Sequence, residues 1–316
     1  MSRSRPGPIR RAARELRAGW WAVAGRTVDF APQPLGRHIE PEGIGGYCCD
    51  LRHKSQSVVD GIPRDSFGEL DDWVIPVAQA ALGFWERKLD GEPVDRQFLL
   101  LAEWLLEHGR GAAGELVWPV EIAVPKYGLG SGWVSAMGQG QAISVLLRAH
   151  RLSGEDRYLR AARAALPPLL RPVGRGGVQS VVAGVPVLEE YPSARPSAVL
   201  NGWIFALFGL HELAVATGEK EARDLFERSA AGLVELLPRY DHGWWSLYSL
   251  YDHGRPDLAK PFYQRLHPVL LEALALIRPA AALEAYAERW RGQYTPPALA
   301  RASLEKLVFR LRRGRH

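Results

Sequence analysis

The sequence predicts a mainly α fold of the α/α toroid class, an incomplete barrel of helical hairpins behind a short irregular, β-containing N-terminal region. Two observations carry this expectation. From residue 71 the chain repeats a unit of helix, polar turn and helix, and the turn glycines Gly91, Gly154 and Gly218 stand 63 and then 64 residues apart. Gly138 and Gly202 are again 64 apart. This period exceeds that of the usual solenoid repeats, because long linkers separate the pairs. Hairpins joined this way suit a ring that gathers its loops at one end, where a cleft can hold a chain-like ligand. With 316 residues, 47 % of them apolar, the chain can bury the core such a ring needs.

Residues 1–70 are broken by Pro6, Pro8, Pro32, Pro34, Pro41 and Pro63 and by Gly43, Gly45, Gly46 and Gly61. Between the breaks, RAARELRAGWWAVAG has helical spacing, and YCCDLR and SVVDGI read as short strands. The hairpin domain is set at 71–295. Its first pair is PVAQAALGFWERKLDGEPVDRQFLLLAEWLLEHG, turning at Asp90-Gly91-Glu92. The second, from SAMGQGQAISVLLRAH, turns at Ser153-Gly154-Glu155, and the third, from PSAVLNGWIFALFGLHELAVAT, at Thr217-Gly218-Glu219. A fourth, FYQRLHPVLLEALALIRPAAALEAYAERWRG, has Pro279 near its turn. Glycine past a helix end, with acidic residues opening the next helix, is the expected turn chemistry. Residues 296–316 read as a basic C-terminal tail. The linkers 109–134, 172–195 and 239–262 hold the aromatic and acidic clusters.

The formal charge of +5 is confined to the ends: residues 1–17 and 301–316 carry +5 each, leaving the body near −5. Basic tails of this kind are solvated arms with weak attraction for anionic surfaces. Nucleic acid is therefore not an expected partner, and peripheral membrane contact through the tails stays open. Cys48 and Cys49 are adjacent and are the two thiols of the chain, so no disulfide framework or cysteine zinc site is expected. The run Trp20–Gly25 is too short for a signal h-region, and no stretch approaches the ~20 apolar residues of a membrane helix. A reduced, cytoplasmic protein is the expectation.

No Walker loop, HExxH motif or nucleophile elbow occurs, and YGLGSGW lacks the strand–helix context of a dinucleotide site. Asp241-His242 and Asp252-His253 read as solvated loop residues, so no metal and no cofactor are expected. Two stretches remain. EEYPSARPSAVLNGW puts Glu189, Glu190 and Tyr191 just before a helix, and YDHGWWSLYSLYDHGRPDLAKPFYQRLH gathers Tyr240, Tyr248, Tyr251 and Tyr263 with Trp244, Trp245 and His267. Buried core tyrosines would account for any one of these. The 11 Trp and 10 Tyr suit sugar stacking and a large helical core equally well.

Four motifs in order, SAMGQGQAISVLLRAHRLSGEDRYLRAA, EEYPSARPSAVLNGWIFALFGL, LPRYDHGWWSLY and DLAKPFYQRLH, resemble the C-terminal catalytic domain of the D-glucuronyl C5-epimerases. These enzymes convert glucuronate to iduronate in heparan sulfate and heparin precursors. The resemblance runs from about Trp73 to Trp290 and implies an α/α toroid, in agreement with the repeat. It implies acid–base roles for Glu190 and Tyr191, and matches Tyr248 and Tyr263 to catalytic tyrosines. His267 falls where the family also has histidine, and Gln139, Gln141 and Asn201 occupy family-like cleft positions, where helix packing is an equal reason for them. Trp245 is a candidate for sugar stacking. The family's arginine after its Y-D-L segment is replaced here by the run Ser249, Leu250, Tyr251. Arg255 or Arg265 is then expected to grip the uronate carboxylate bidentately. Family members are taken to be dimers, so a homodimer is an open expectation.

Inverting C5 requires removing a proton α to a carboxylate and returning one to the opposite face. A phenol of lowered pKa is a suitable base, with Tyr263 on one face and Glu190 with Tyr191 on the other. The implied function is a glucuronate epimerase acting on a glucuronate-containing polysaccharide or oligosaccharide. A uronic-acid lyase on the same toroid shares the proton abstraction, and a non-catalytic glycan-binding relative would keep only the cleft.

Overall fold

A computed structural model describes residues 31–65, 70–111 and 114–313. The helix expected within residues 11–25 lies outside the described residues. The main helices are α1 (Val74–Leu89), α2 (Asp95–His108), α3 (Ala136–Ser153), α4 (Asp156–Ala164), α5 (Leu200–Thr217), α6 (Lys220–Tyr240), α7 (Pro261–Ile277), α8 (Ala281–Gly292) and α9 (Pro296–Arg313). The first eight are the four expected hairpins. Gly91, Gly154 and Gly218 all adopt positive φ (91°, 73° and 74°), the left-handed conformation that lets a helix end and reverse. The fourth pair turns at Arg278-Pro279, where α7 ends without such a glycine.

The leading helices of the pairs pack in chain order, α1 on α3, α3 on α5 and α5 on α7, forming an arc with α1 and α7 at its ends. The closest approach is α3 on α5. A Cβ on Gly209 would stand 2.4 Å from Gly140 Cα, and one on Gly140 would stand 2.7 Å from Ala206 Cα, so only glycines permit this contact. α5 is apolar on nearly every side because it lies at the middle of the arc. By length and composition it passes as a membrane span, contrary to the sequence reading, but 78 % of it is buried inside the protein.

Each linker between hairpins folds into a short antiparallel ribbon. After β1 (Val58–Val59) and β2 (Ile62–Pro63) near the N-terminus come β3 (Pro119–Val120) with β4 (Trp133–Val134), β5 (Gln179–Val182) with β6 (Val185–Leu188), and β7 (Leu247–Ser249) with β8 (Asp257–Leu258). SVVDGI is thus a hairpin, with Asp60 and Gly61 both at positive φ, the conformation a two-residue hairpin loop demands. YCCDLR is not a strand. Cys49 makes one isolated bridge to Leu35, and the chain then enters a helical turn, Arg52–Ser55. Residues 296–306 are not a solvated tail either, since α9 packs Ala298, Leu299 and the fully buried Ala302 beside Trp245 and Tyr294.

One buried ion pair ties the N-terminal segment to the arc. Arg148 of α3, fully buried, meets Glu212 of α5 through two hydrogen bonds of 2.7 and 2.8 Å. It also donates to the carbonyls of Gly45 (3.2 Å) and Gly46 (3.0 Å). Glu86 of α1 accepts from the Tyr47 backbone N–H at 2.6 Å, so the segment around Tyr47 is pinned from two helices.

Candidate active site

The three linkers meet at the same end as the first turns of α5 and α7. Glu189 and Glu190 leave β6 in opposite directions and do different work. Glu189 is fully buried and accepts from the Ser180 and Ser197 hydroxyls and from the Ser197 and Ala198 N–H groups (3.0 and 2.9 Å). These bonds, with the Tyr240 hydroxyl on the Ala198 carbonyl at 2.7 Å, hold Ala198 at φ 43°. A left-handed alanine costs roughly 1 kcal/mol or more, and the bonds offset it. The consequence is positional: α5 begins two residues later, with Asn201 and Gly202 facing Glu190.

Glu190 is 5 % exposed. Its Oε2 takes a 3.4 Å hydrogen bond from Asn201 Nδ2, and its Oε1 a long 3.5 Å bond from the Tyr248 hydroxyl. Burial pushes its carboxyl up to about 7, against the pull of hydrogen bonds from Tyr191, Tyr248 and Asn201 and of the Lys126 charge. A carboxylate that titrates near neutrality is a stronger base than an exposed one and still ionises at physiological pH. Gly202 makes room for it, since a Cβ there would lie 2.3 Å from Glu190 Oε2 and 2.5 Å from its Cβ. Gly202→Ala is therefore expected to displace the carboxylate and destabilise the fold by about 1–3 kcal/mol through overpacking. A thermal melt and the chemical shift of a labelled Glu190 carboxyl carbon check this, and an unchanged carboxyl titration would contradict it.

Phenols surround the carboxylate. Tyr248 and Tyr263 lie with ring centroids 4.8 Å apart, and Tyr191 stacks on Tyr127 at 4.6 Å and leans on Trp133 at 5.2 Å. Tyr251 meets the Tyr127 ring edge-on at 5.2 Å. Burial raises the Tyr191, Tyr248 and Tyr263 phenols, and the Glu190 charge raises them further. This is opposite to the lowered phenol pKa that the sequence-based mechanism requires. Tyr191, Tyr248 and Tyr263 are protonated at neutral pH and are placed to donate, while Glu190 is the group placed to accept. Tyr191, Tyr251 and Tyr263 are half-buried and form the accessible edge of the cluster.

Lys126 and Asp257 do not stand out in the sequence, yet both belong here. Lys126 Nζ lies 4.9 Å from the Tyr127 ring centroid and 5.0 Å from that of Tyr248, and donates to Asp257 Oδ2 at 2.6 Å. Asp257, 1 % exposed, also accepts from Ser249 Oγ (2.8 Å) and from Lys306 Nζ of α9 (2.7 Å). Burial would raise its carboxyl, but the hydrogen bond from His253 and the Lys306 and Lys126 charges hold it far below the usual carboxylate range. The sequence carries a weak signal for both, since Asp257 lies in DLAKPFYQRLH and Lys126 in a linker notable for its aromatics.

The other sequence candidates lie apart from the carboxylate. Gln139 donates to the Leu116 and Ala165 carbonyls (3.0 and 3.1 Å) and accepts from the Trp118 N–H, so its amide holds a linker to α3. Gln141 is fully buried against the Tyr47 hydroxyl in the core between the N-terminal segment and the arc. Trp245 is fully buried, donates to the Ala259 carbonyl and stacks on Tyr294, leaving no face for a sugar. His267 is fully buried behind Tyr263, with Nδ1 2.9 Å from Ser246 Oγ, and burial lowers it to about 3, a neutral packing residue. Arg265 leans on the Tyr294 ring, two residues and so about 200° round the helix from Tyr263. Arg255 is exposed on the loop between β7 and β8.

A surface cavity of about 580 Å³ lies elsewhere, lined by Pro32, Pro34, Asp50, Arg52, His53 and Arg87 among others. Its charges pair internally, Arg52 with Asp50 and Arg87 with Glu92, and it shares no residue with the phenol cluster.

Helical hairpins whose linkers deliver a raised carboxylate and several neutral phenols define a protein with a set of side chains suited to general acid–base chemistry. Residues 114–292 match the family described as D-glucuronyl C5-epimerase C-terminus. The chain belongs to the D-glucuronyl C5-epimerase family. It is 35 % identical over 212 residues to the D-glucuronyl C5-epimerase of Caenorhabditis elegans, a match covering 62 % of this chain and 34 % of that protein. It is 29 % identical over 181 residues to an uncharacterized protein of Methanocaldococcus jannaschii, covering 54 % and 58 % of the two. The chain thus spans about a third of the first relative and somewhat over half of the second.

Proposed function

We propose that this chain inverts C5 of D-glucuronate residues in a glycan, with Glu190 as the base that removes the C5 proton and a neutral tyrosine as the acid that returns one to the other face. The observation that carries this reading is a buried carboxylate, raised to about 7, set among protonated phenols. The phenols held neutral by burial are Tyr191, Tyr248 and Tyr263. Tyr263, in the first turn of α7, and Tyr191, stacked on Tyr127 across the cluster, are the two candidate donors, and Tyr248 links them to the carboxylate. On this reading the substrate is a glucuronate-containing polysaccharide or oligosaccharide, and the arc of hairpins is part of an α/α toroid whose linker end receives it.

Proton NMR of heparosan-type glycans incubated with the protein in D₂O tests the proposal. The expected result is loss of the C5 proton signal with iduronate resonances appearing. Tyr263→Phe is expected to reduce the appearance of iduronate about 10²-fold or more with the fold unchanged, because only the donor oxygen for the second face is removed. Iduronate formed at the wild-type rate by the Phe variant would remove Tyr263 from the mechanism. An unsaturated product instead of iduronate would make the chain a lyase, in which the same abstraction is followed by expulsion of the 4-O substituent.

A further inference from the structure

Glucuronate brings a carboxylate to any site that acts on it, and abstraction of the C5 proton places further negative charge on that group. A cation beside the carboxylate is what makes such a proton removable. Of the two arginines expected from the sequence, Arg265 leans on Tyr294, and Arg255 is exposed on the loop that also carries Tyr251. Lys126 is a cation that does stand at the phenol cluster.

We infer that Lys126 binds the uronate carboxylate, held for that role by Asp257 and by Lys306 of the C-terminal helix; the inference rests on the glucuronate reading above. Three observations support it. Lys126 Nζ lies against the rings of both Tyr127 and Tyr248, and Tyr248 in turn touches the Tyr263 ring and the Glu190 carboxylate. It is 28 % exposed, whereas its partner Asp257 is fully buried, so the ammonium is the accessible end of the pair. Asp257 is shared, accepting from Lys126 on Oδ2 and from Lys306 on Oδ1, so its one negative charge is divided between two lysines. Recruiting Lys306 from α9 makes the C-terminal helix part of the electrostatics of the site, although it lies 180 residues from Lys126 in the chain.

The test compares a glucuronate-containing tetrasaccharide with its carboxyl-reduced counterpart, in which glucose replaces glucuronate. Binding of both is measured by calorimetry, and C5 exchange of the first is followed in D₂O. Lys126→Met is expected to raise KM about 10- to 100-fold, the usual range for losing a hydrogen bond between charged groups, and to abolish the preference for the carboxylate-bearing sugar. Lys126→Arg is expected to retain the preference. Because Lys126→Met leaves Asp257 short of a partner, the double variant K126M/D257N, checked by thermal melting, repeats the measurement without that strain on the fold. Exchange in the wild type with KM and preference unchanged in the Met and double variants would overturn the assignment and leave the epimerase reading standing. Binding without exchange, with the preference lost on replacing Lys126, would support the assignment and overturn the epimerase reading. A wild type that neither exchanges nor prefers the carboxylate would overturn both.

Discussion

Glu190→Gln is expected to reduce C5 exchange on glucuronate glycans by about 10²–10⁴-fold, the contribution of a positioned general base, and to make the protein more stable at pH 8. Both effects come from the same burial. In the folded chain the carboxyl titrates at about 7 instead of its ordinary 4.5. Between these values the folded state holds a proton that the unfolded state has lost, so stability falls as pH rises from 4.5 through 7. Above 7 the ionised, buried carboxylate costs about 3 kcal/mol relative to an exposed one. An amide carries no charge, and its oxygen can accept from Asn201 while its NH2 donates to the Tyr248 oxygen, so the variant escapes that cost at pH 8 and gains nothing at pH 4, where both states are protonated. Thermal melts at the two pH values alongside the exchange assay decide the matter. A variant that melts at the wild-type temperature at pH 8 would mean that Glu190 is not held in a desolvated site. The same titration predicts that wild-type exchange declines as pH falls below about 7.

Arg148→Met is expected to carry the largest stability loss, about 3–5 kcal/mol, because it leaves Glu212 buried without its bidentate partner. The loss extends beyond the pair. Arg148 also satisfies the carbonyls of Gly45 and Gly46, so the N-terminal segment loses an anchor to α3. Met fills much of the volume but donates nothing. A second replacement at the same locus separates the effects: with Glu212→Leu added, the orphaned charge disappears and part of the stability should return, while the two carbonyls remain unpaired. Denaturant midpoints of the single and double variants measure this. A single variant within about 1 kcal/mol of the wild type would mean that water reaches the pair.

Much of the scaffold is legible along the chain. The hairpins announce themselves through apolar helical spacing and through glycines placed where a helix must reverse, and Gly91, Gly154 and Gly218 all take the left-handed conformation that this placement implies. The ribbons in the linkers are not legible, although VVAGVPV between Gln179 and Leu188 carries β-branched residues on either side of Ala183 and Gly184, both at positive φ. Short ribbons of two to four residues have too little periodicity to separate from loop. α9 reads as a solvated tail because basic residues dominate its charge, whereas its docking depends on Ala298, Leu299 and Ala302 against aromatics, Trp245 among them, far away in the chain.

At the site, the local motif EEY is visible and the family resemblance singles out Glu190, but the physical basis for the difference between the two glutamates is not legible. Two adjacent glutamates look alike until one is seen inside a cage of Ser180, Ser197 and Ala198 and the other among phenols. Gln139 and Gln141 are equally ambiguous, because a glutamine on an inner helix serves a cleft or a backbone carbonyl with the same spacing.

The helical hairpins, their order and the presence of a carboxylate and several tyrosines in the linkers follow from the chain alone, since these depend on residues within a few turns of one another. Which carboxylate is raised, that the phenols are neutral and which cation stands beside them emerge only in the folded molecule. Charge and protonation depend on burial and on neighbours such as Lys126, Asp257 and Lys306, which the chain brings together only by folding.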